Sequence, residues 1–104
     1  MVVVLTKFPV KPEHARAYAE HLKEAVSRFT IENQPGFRQM RLMAATNMPD
    51  NGEGKIFVIE TVWEDMESFA AYTQSDAFKK SHESTPPHDW FAGRPSVETY
   101  ETIE

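Results

Sequence analysis

Residues 63–82 read WEDMESFAAYTQSDAFKKSH, and the other predicted elements are best understood from this stretch outward. Glu64 or Asp65 predicts the start of a helix, because a carboxylate there accepts hydrogen bonds from the first free amides and suits the helix dipole. Ser75 predicts a second N-cap, so the stretch is expected to form two short helices with a kink near Gln74. A strand that ends at Trp63 leads into this pair of helices, and His82 stands at the end of the second helix.

The aromatic residues of the stretch lie at helical spacing. Phe69 and Tyr72 are three residues apart and share one face of the first helix. Phe78 and His82 are four apart on the second helix, so the imidazole is predicted to lie one turn from the phenyl ring. Any chemistry that this protein performs is expected near His82.

Strands are predicted on both sides of this stretch from β-branched and alternating residues. The predicted strands are residues 2–8, 37–45, 55–63 and 95–102. The first and third are apolar on both faces, which indicates that both faces are covered. Pro9 is predicted to end the first strand, because proline has no amide hydrogen to donate to a ladder.

A long amphipathic helix is predicted to begin at Pro12, which suits the first turn of a helix. Its apolar stripe comprises Tyr18, Leu22, Ala25, Val26 and Phe29. His14 and His21, on the same helix, are seven residues apart, too far for one metal ion, and are interpreted as surface residues. Turn-forming residues predict connections at residues 33–36, 46–54 and 83–94.

The order of elements is therefore β-α-β-β-α-β over a single domain, residues 1–104. This order predicts an α+β, ferredoxin-like fold: a four-stranded antiparallel sheet with both helices on one face. The second face of the sheet would then expose a large apolar patch. Pairing two such faces covers it, so a homodimer with a barrel-like shared core is predicted.

Composition excludes several classes of function. The chain has a formal net charge of −5, no cysteine and four glycines. Disulfides, thiolate metal sites and a cysteine nucleophile are excluded, and no glycine-rich phosphate loop is present. The chain has no cluster of basic residues, which argues against a nucleic-acid partner. No run approaches the ~20 apolar residues that span a bilayer, so a soluble, cytoplasmic protein without a membrane partner is expected.

Four motifs occur in an order and spacing typical of one superfamily. They are TKFPVKP at residues 6–12, PGF at residues 35–37, TVW at residues 61–63, and SDAFK at residues 75–79 followed by His82. With these motifs the chain resembles the antibiotic biosynthesis monooxygenase superfamily of dimeric α+β barrels. It looks most like the haem-degrading monooxygenase branch.

The resemblance implies specific site residues. In the haem branch a histidine at the end of the helix is the axial iron ligand, which would be His82 here. An asparagine on the first strand and a tryptophan ten residues before the histidine shape the distal side. Thr6 and Tyr72 stand at those positions. The resemblance thus implies haem as cofactor and substrate, with Thr6 and Tyr72 as catalytic residues and an external electron donor.

Other residues carry alternative interpretations. Trp90 and Phe91 could close a lid over a flat ligand beside Phe78, or could plug the sheet edge or dimer seam. His88 and Asp89 could form a general base with its carboxylate, or, with His82, a two-histidine-one-carboxylate iron site. Glu60 interrupts an apolar strand and could line the pocket or pair with Arg41 across the hairpin, the second being favoured.

Three functions remain open from the sequence. The first is a haem-degrading monooxygenase that binds haem through His82. The second is a cofactor-independent monooxygenase of the same fold, in which a quinol or polyketide-like phenol anion itself reduces O2. The third is a non-enzymatic, ligand-binding dimer. The expected substrate is a small aromatic or macrocyclic molecule.

Overall fold

A computed structural model describes residues 1–28, 31–46, 55–82 and 86–103, apart from the side chains of residues 26–28 and 81. The predictions for the Val26 side chain, for Phe29, for residues 47–54 of the first loop and for residues 83–85 of the second lie outside these residues. In the part of the chain that is described, no helix is long and apolar enough to cross a bilayer.

The elements follow the predicted order. They are β1 (Val2–Val10), α1 (Ala15–Arg28), β2 (Phe37–Ala44), β3 (Lys55–Trp63), α2 (Met66–Thr73), α3 (Asp76–Ser81) and β4 (Ser96–Glu101). Short 3₁₀ helices occur at Pro12–His14, Ile31–Asn33 and His88–Trp90. The strands form one antiparallel sheet in the order β2-β3-β1-β4, which confirms the ferredoxin-like α+β fold.

Both helical segments cover the same face of this sheet. Phe57 and Trp63 are six residues apart on β3 and therefore point to one side. Tyr18 of α1 packs against Phe57 with ring centroids 5.2 Å apart, and Tyr72 of α2 stacks on Trp63 at 5.2 Å. The prediction that the helices lie on one face is confirmed.

The core on the helix side has two parts. The Trp63 cluster consists of Val2, Val4, Ile31, Trp63 and Tyr72. The Tyr18 cluster consists of Val10, Tyr18, Leu22 and Phe57. The first lies under α2 and α3 and the second under α1, so one continuous sheet face carries two neighbouring centres of packing.

The kink between α2 and α3 is fixed by side-chain caps, as predicted. Asp65 caps α2 by accepting from the Ser68 amide at 2.8 Å and from its hydroxyl at 2.7 Å. These two bonds hold the pKa of the Asp65 carboxyl below its ordinary value, and the bond from the Ser68 hydroxyl has the larger effect. Ser75 caps α3 by accepting from the Phe78 amide at 3.2 Å, while its hydroxyl donates to the Tyr72 carbonyl at 2.6 Å.

The prediction that Pro9 ends the first strand is wrong. β1 continues to Val10, and Pro9 pairs with Ile56 of β3. The Pro9 carbonyl accepts from the Ala92 amide at 2.9 Å, on the side of the strand away from β3. In an antiparallel ladder the amide of a residue points to the same side as its carbonyl, so the missing donor costs the β1–β3 ladder nothing.

Gly36 occupies the left-handed region, with φ of 81°, at the entry to β2. Its carbonyl accepts from the Glu64 amide at 2.8 Å, and a Cβ on Gly36 would overlap the side chain of Ser68. Gly36→Ala is therefore expected to lower the free energy of unfolding by about 2 kcal/mol, measured by urea denaturation. Gly93→Ala is the matched control, because its Cβ would meet only Pro9 at 3.4 Å. Equal losses in the two variants would contradict the strain argument.

Candidate functional site

A cavity of about 710 Å³ lies between α1, the helix-side face of the sheet, the end of α3 and residues 86–95. Its volume is within the range of about 300–1,000 Å³ that is common for small-molecule sites. The residues that line it are Phe8, Tyr18, His21, Leu22, Ala25, Ile59, His82, Pro86, His88, Phe91, Ala92, Gly93, Arg94 and Pro95. The lining combines an apolar floor with imidazoles and one guanidinium nearer to solvent.

Aromatic rings form much of the floor. The Tyr18 ring centroid lies 6.0 Å from that of Phe8 and 5.6 Å, edge-on, from that of Phe91. Burial raises the pKa of the Tyr18 phenol well above its ordinary value, because the charged phenolate would lose its hydration. Tyr18 is therefore neutral at physiological pH, and a neutral phenol can donate a hydrogen bond to a ligand oxygen.

His82 follows the last residue of α3 and lies at the edge of the cavity. Its Nδ1 lies 2.8 Å from the Phe78 carbonyl oxygen, and the two rings are 4.1 Å apart. A carbonyl oxygen only accepts, so Nδ1 is the protonated nitrogen in this bond. In the neutral imidazole the lone pair is then on Nε2, where it can take a proton or coordinate a metal ion.

The segment 86–95 is tied to the strand beneath it. The Lys11 amide donates to the Trp90 carbonyl at 2.8 Å, and the Ala92 amide donates to the Pro9 carbonyl at 2.9 Å. Phe91 forms an isolated bridge with Val10 on the edge of β1. The wall of the cavity on this side is thus an extension of the sheet edge.

The structure brings together some of the sequence-predicted site residues. His82 and Phe91 both line the cavity, and Phe78 contacts His82 from the preceding turn. Trp90 instead stacks on His14, with ring centroids 5.2 Å apart and an interplanar angle of 7°. It secures the segment 86–95 to the start of the first helix and does not line the cavity.

Thr6 and Tyr72 lie outside the cavity lining. Tyr72 is buried in the Trp63 cluster, where Phe78 meets it edge-on at 5.4 Å. Thr6 is half-buried on β1, where it pairs with Ile59 of β3 and Val97 of β4. Of these neighbours Ile59 lines the cavity, so Thr6 stands beside the site without forming its surface.

Sequence reasoning missed His21 and Arg94. His21 was interpreted as a surface residue, but it is half-buried and lines the cavity. It lies three residues after Tyr18 and one before Leu22, so its position beside the apolar stripe of the helix already indicated partial burial. Arg94 lies in a loop, where no periodicity indicates which way a side chain points.

The alternative iron site is not supported. In the described ranges no three histidine, aspartate or glutamate side chains are grouped to hold a metal ion, which argues against a site made of His82, His88 and Asp89. Glu60, the other ambiguous residue, pairs with Arg41 as predicted, through bonds of 2.9 and 3.1 Å. The role of a single imidazole as an axial ligand is unaffected by this finding.

Comparison with known proteins gives a consistent picture. A family model described as antibiotic biosynthesis monooxygenase matches residues 1–84. A mutant of MhuD, crystallised with two manganese protoporphyrin IX molecules per active site, is 24% identical, with a TM-score of 0.71 over 100% of this chain and 96% of that one.

Two further solved structures are assigned to the same family. The protein from Nitrosomonas europaea is 16% identical, with a TM-score of 0.70 over 100% of both chains. The protein from Bacillus cereus is 17% identical, with a TM-score of 0.73 over 99% of this chain and 91% of that one. At these identities the likenesses to solved structures show the fold.

Proposed function

The chain belongs to the antibiotic biosynthesis monooxygenase family, and from this membership we propose that it is an O2-dependent monooxygenase that binds haem through His82 and degrades it with an external reductant. The observation that carries the proposal is the orientation of the His82 imidazole. Its Nδ1–H is bonded to a backbone carbonyl at the edge of an aromatic-lined cavity. A histidine that ligates a metal usually has its second ring nitrogen fixed in this way.

The residues of the cavity fit a flat macrocycle. Phe8, Tyr18 and Phe91 offer aromatic surface, and Leu22 and Ile59 add aliphatic surface that excludes water. When bound, haem supplies the iron at which O2 is activated by electrons from a reductant. The chain's contribution is to hold the macrocycle with His82 and to offer the neutral Tyr18 phenol as a hydrogen-bond donor. A porphyrin-bound MhuD structure with the same fold adds support.

A second candidate is the cofactor-independent oxidation of a phenol or hydroquinone. The placement of Thr6 and Tyr72 favours it, because neither residue lines the cavity where the resemblance implied distal groups. The cavity does contain imidazoles that can accept the phenolic proton, among them His21. The resulting substrate anion would then deliver electrons to O2 without a metal.

An absorbance titration with ferric haem, followed by ascorbate in air, separates the candidates. Haem degradation requires saturation at one haem per subunit and then loss of the Soret band. No saturable spectrum, with O2 consumption on a hydroquinone, favours the cofactor-independent reaction. If neither is observed, the third possibility, a ligand-binding dimer without oxygenase activity, is favoured.

The proposal includes a homodimer that forms through the sheet face opposite the helices. We call this the open face. Its apolar side chains are Val3, Leu5, Met43, Ile56, Val58, Val62 and Tyr100. The ion pair Arg41–Glu60 and the 2.6 Å pair Lys7–Glu98 lie among them. Hydrogen bonding to Arg41 lowers the pKa of Glu60, so its charge is compensated within the chain.

A charge placed on the open face is expected to separate the dimer. Val3 is half-buried between Val62 and Tyr100, so Val3→Lys would put an ammonium in the centre of the apolar contact. The expected result is a change from two chains to one, measured by light scattering on a sizing column. Ala17→Lys, on an exposed position of α1, is the matched control. A monomeric wild type, or a dimeric Val3→Lys variant with native circular dichroism, would contradict the proposed interface.

A further inference from the structure

The cavity concentrates basic groups in an acidic protein. The chain has a formal net charge of −5. Among the described residues that line the cavity are Arg94 and three histidines, and there is no aspartate or glutamate. A site that had evolved for a neutral apolar ligand has no need of this asymmetry, whereas a ligand with a negative group is attracted to it.

Arg94 is placed at the rim by two fixed points in the backbone. Two residues before it, the Ala92 amide is bonded to the Pro9 carbonyl. Two residues after it, Ser96 begins β4 and pairs with Lys7. The side chain of Arg94 is exposed, so it lies where a ligand enters.

The guanidinium of Arg94 is not engaged by a carboxylate of the described residues, unlike three cations of the sheet. Lys7, Arg38 and Arg41 each form an ion pair with a glutamate, at 2.6, 2.7 and 2.9 Å. Within the described ranges Arg94 forms none of the ion pairs observed. A guanidinium presents several donors in one plane, which matches the geometry of a carboxylate.

We propose that the cavity binds a planar aromatic carboxylate, with its negative group at Arg94 and its rings against Phe8, Tyr18 and Phe91. His88, on the same rim segment, can add a further hydrogen bond, because even a neutral imidazole has one N–H donor. The inference rests on the proposed function only in assigning the ligand to the same cavity. It adds the charge of the ligand and the residue that recognises it.

Two naphthalene probes, one with an anionic carboxylate and one with a neutral hydroxymethyl group, test this inference directly. They are 2-naphthoate and 2-naphthylmethanol, titrated into the full-length protein by calorimetry at low ionic strength. We expect the anion to bind about fivefold more tightly or better, the factor that corresponds to about 1 kcal/mol for an exposed ion pair. Equal affinity, weaker binding of the anion or no binding of either probe overturns the proposal.

Three variants then assign the preference to one residue. Arg94→Gln is expected to remove the preference for naphthoate and to leave the affinity for naphthylmethanol unchanged. Arg94→Lys should restore part of it, because an ammonium keeps the charge but loses the planar fork. Arg16→Gln removes the same charge from an exposed position of α1 outside the cavity lining, and should change neither affinity. Loss of the preference in Arg16→Gln as well, or its retention in Arg94→Gln, overturns the role of Arg94.

These titrations use neither haem nor O2. Absence of haem binding would therefore remove the proposed function without affecting the preference for an anion. Conversely, a chain that binds and degrades haem but shows no preference between the naphthyl probes would keep its proposed function and lose this inference.

Discussion

Trp63→Ala is expected to lower the free energy of unfolding by about 3–5 kcal/mol, the usual cost of truncating a buried tryptophan. The indole is completely buried, and its Nε1–H donates to the Thr61 hydroxyl at 2.9 Å. Rings of Phe37, Phe69 and Tyr72 surround it at centroid distances of 5.2 to 5.9 Å. Because small domains have only about 5–15 kcal/mol in total, this one change removes a large part of the stability.

Urea denaturation followed by circular dichroism measures the effect. Met66→Ala is the control, because Met66 is 47% exposed at the start of α2, and a change within about 0.5 kcal/mol is expected there. A Trp63→Ala variant as stable as the control would show that the Trp63 cluster does not contribute to the cooperative core.

His82→Ala is expected to abolish the Soret shift that ferric haem produces in the wild-type protein. The variant loses the proposed iron ligand, the bond from Nδ1 to the Phe78 carbonyl and the ring contact at 4.1 Å. His82 is exposed, so its removal should leave the core intact, and native circular dichroism verifies this. The Soret shift is measured by absorbance titration with ferric haem.

Two controls make the result specific to the ligand. His88→Ala removes another exposed imidazole of the cavity lining and should keep the Soret shift. Free imidazole added to His82→Ala should restore a haem spectrum, because it can occupy the space of the lost side chain. An unchanged Soret shift in His82→Ala would mean that another group holds the iron.

Much of the fold could be predicted from the sequence because its signals are local. β3 has the predicted bounds, since alternation and β-branching both stop at Trp63. Residue type alone identified the cap at Ser75, limited the cap of α2 to Glu64 or Asp65, of which Asp65 is the observed one, and predicted the kink. Side chains that accept hydrogen bonds from nearby amides act over three residues, so no knowledge of the tertiary structure is needed.

The candidate site was less accessible to the same reasoning. Periodicity correctly placed Phe69 and Tyr72 on one face of their helix, but it cannot tell which part of a continuous sheet face that helix covers. Tyr72 precedes the kink and packs into the Trp63 cluster, whereas His82 follows it and reaches the cavity. Trp90 and Arg94 lie in a loop whose path depends on backbone bonds to β1, which have no counterpart in residue type.

The kink at Ser75 has a consequence for how such a chain can change over evolutionary time. It assigns α2 to the Trp63 cluster and the end of α3 to the ligand cavity, with Phe78 in contact with both Tyr72 and His82. Substitutions at exposed positions of the cavity rim, such as His88 and Arg94, therefore have little effect on the buried core that maintains thermal stability. The chemistry of the cavity can thus change in a few steps at the rim, while the sheet, the caps and Trp63 stay as they are.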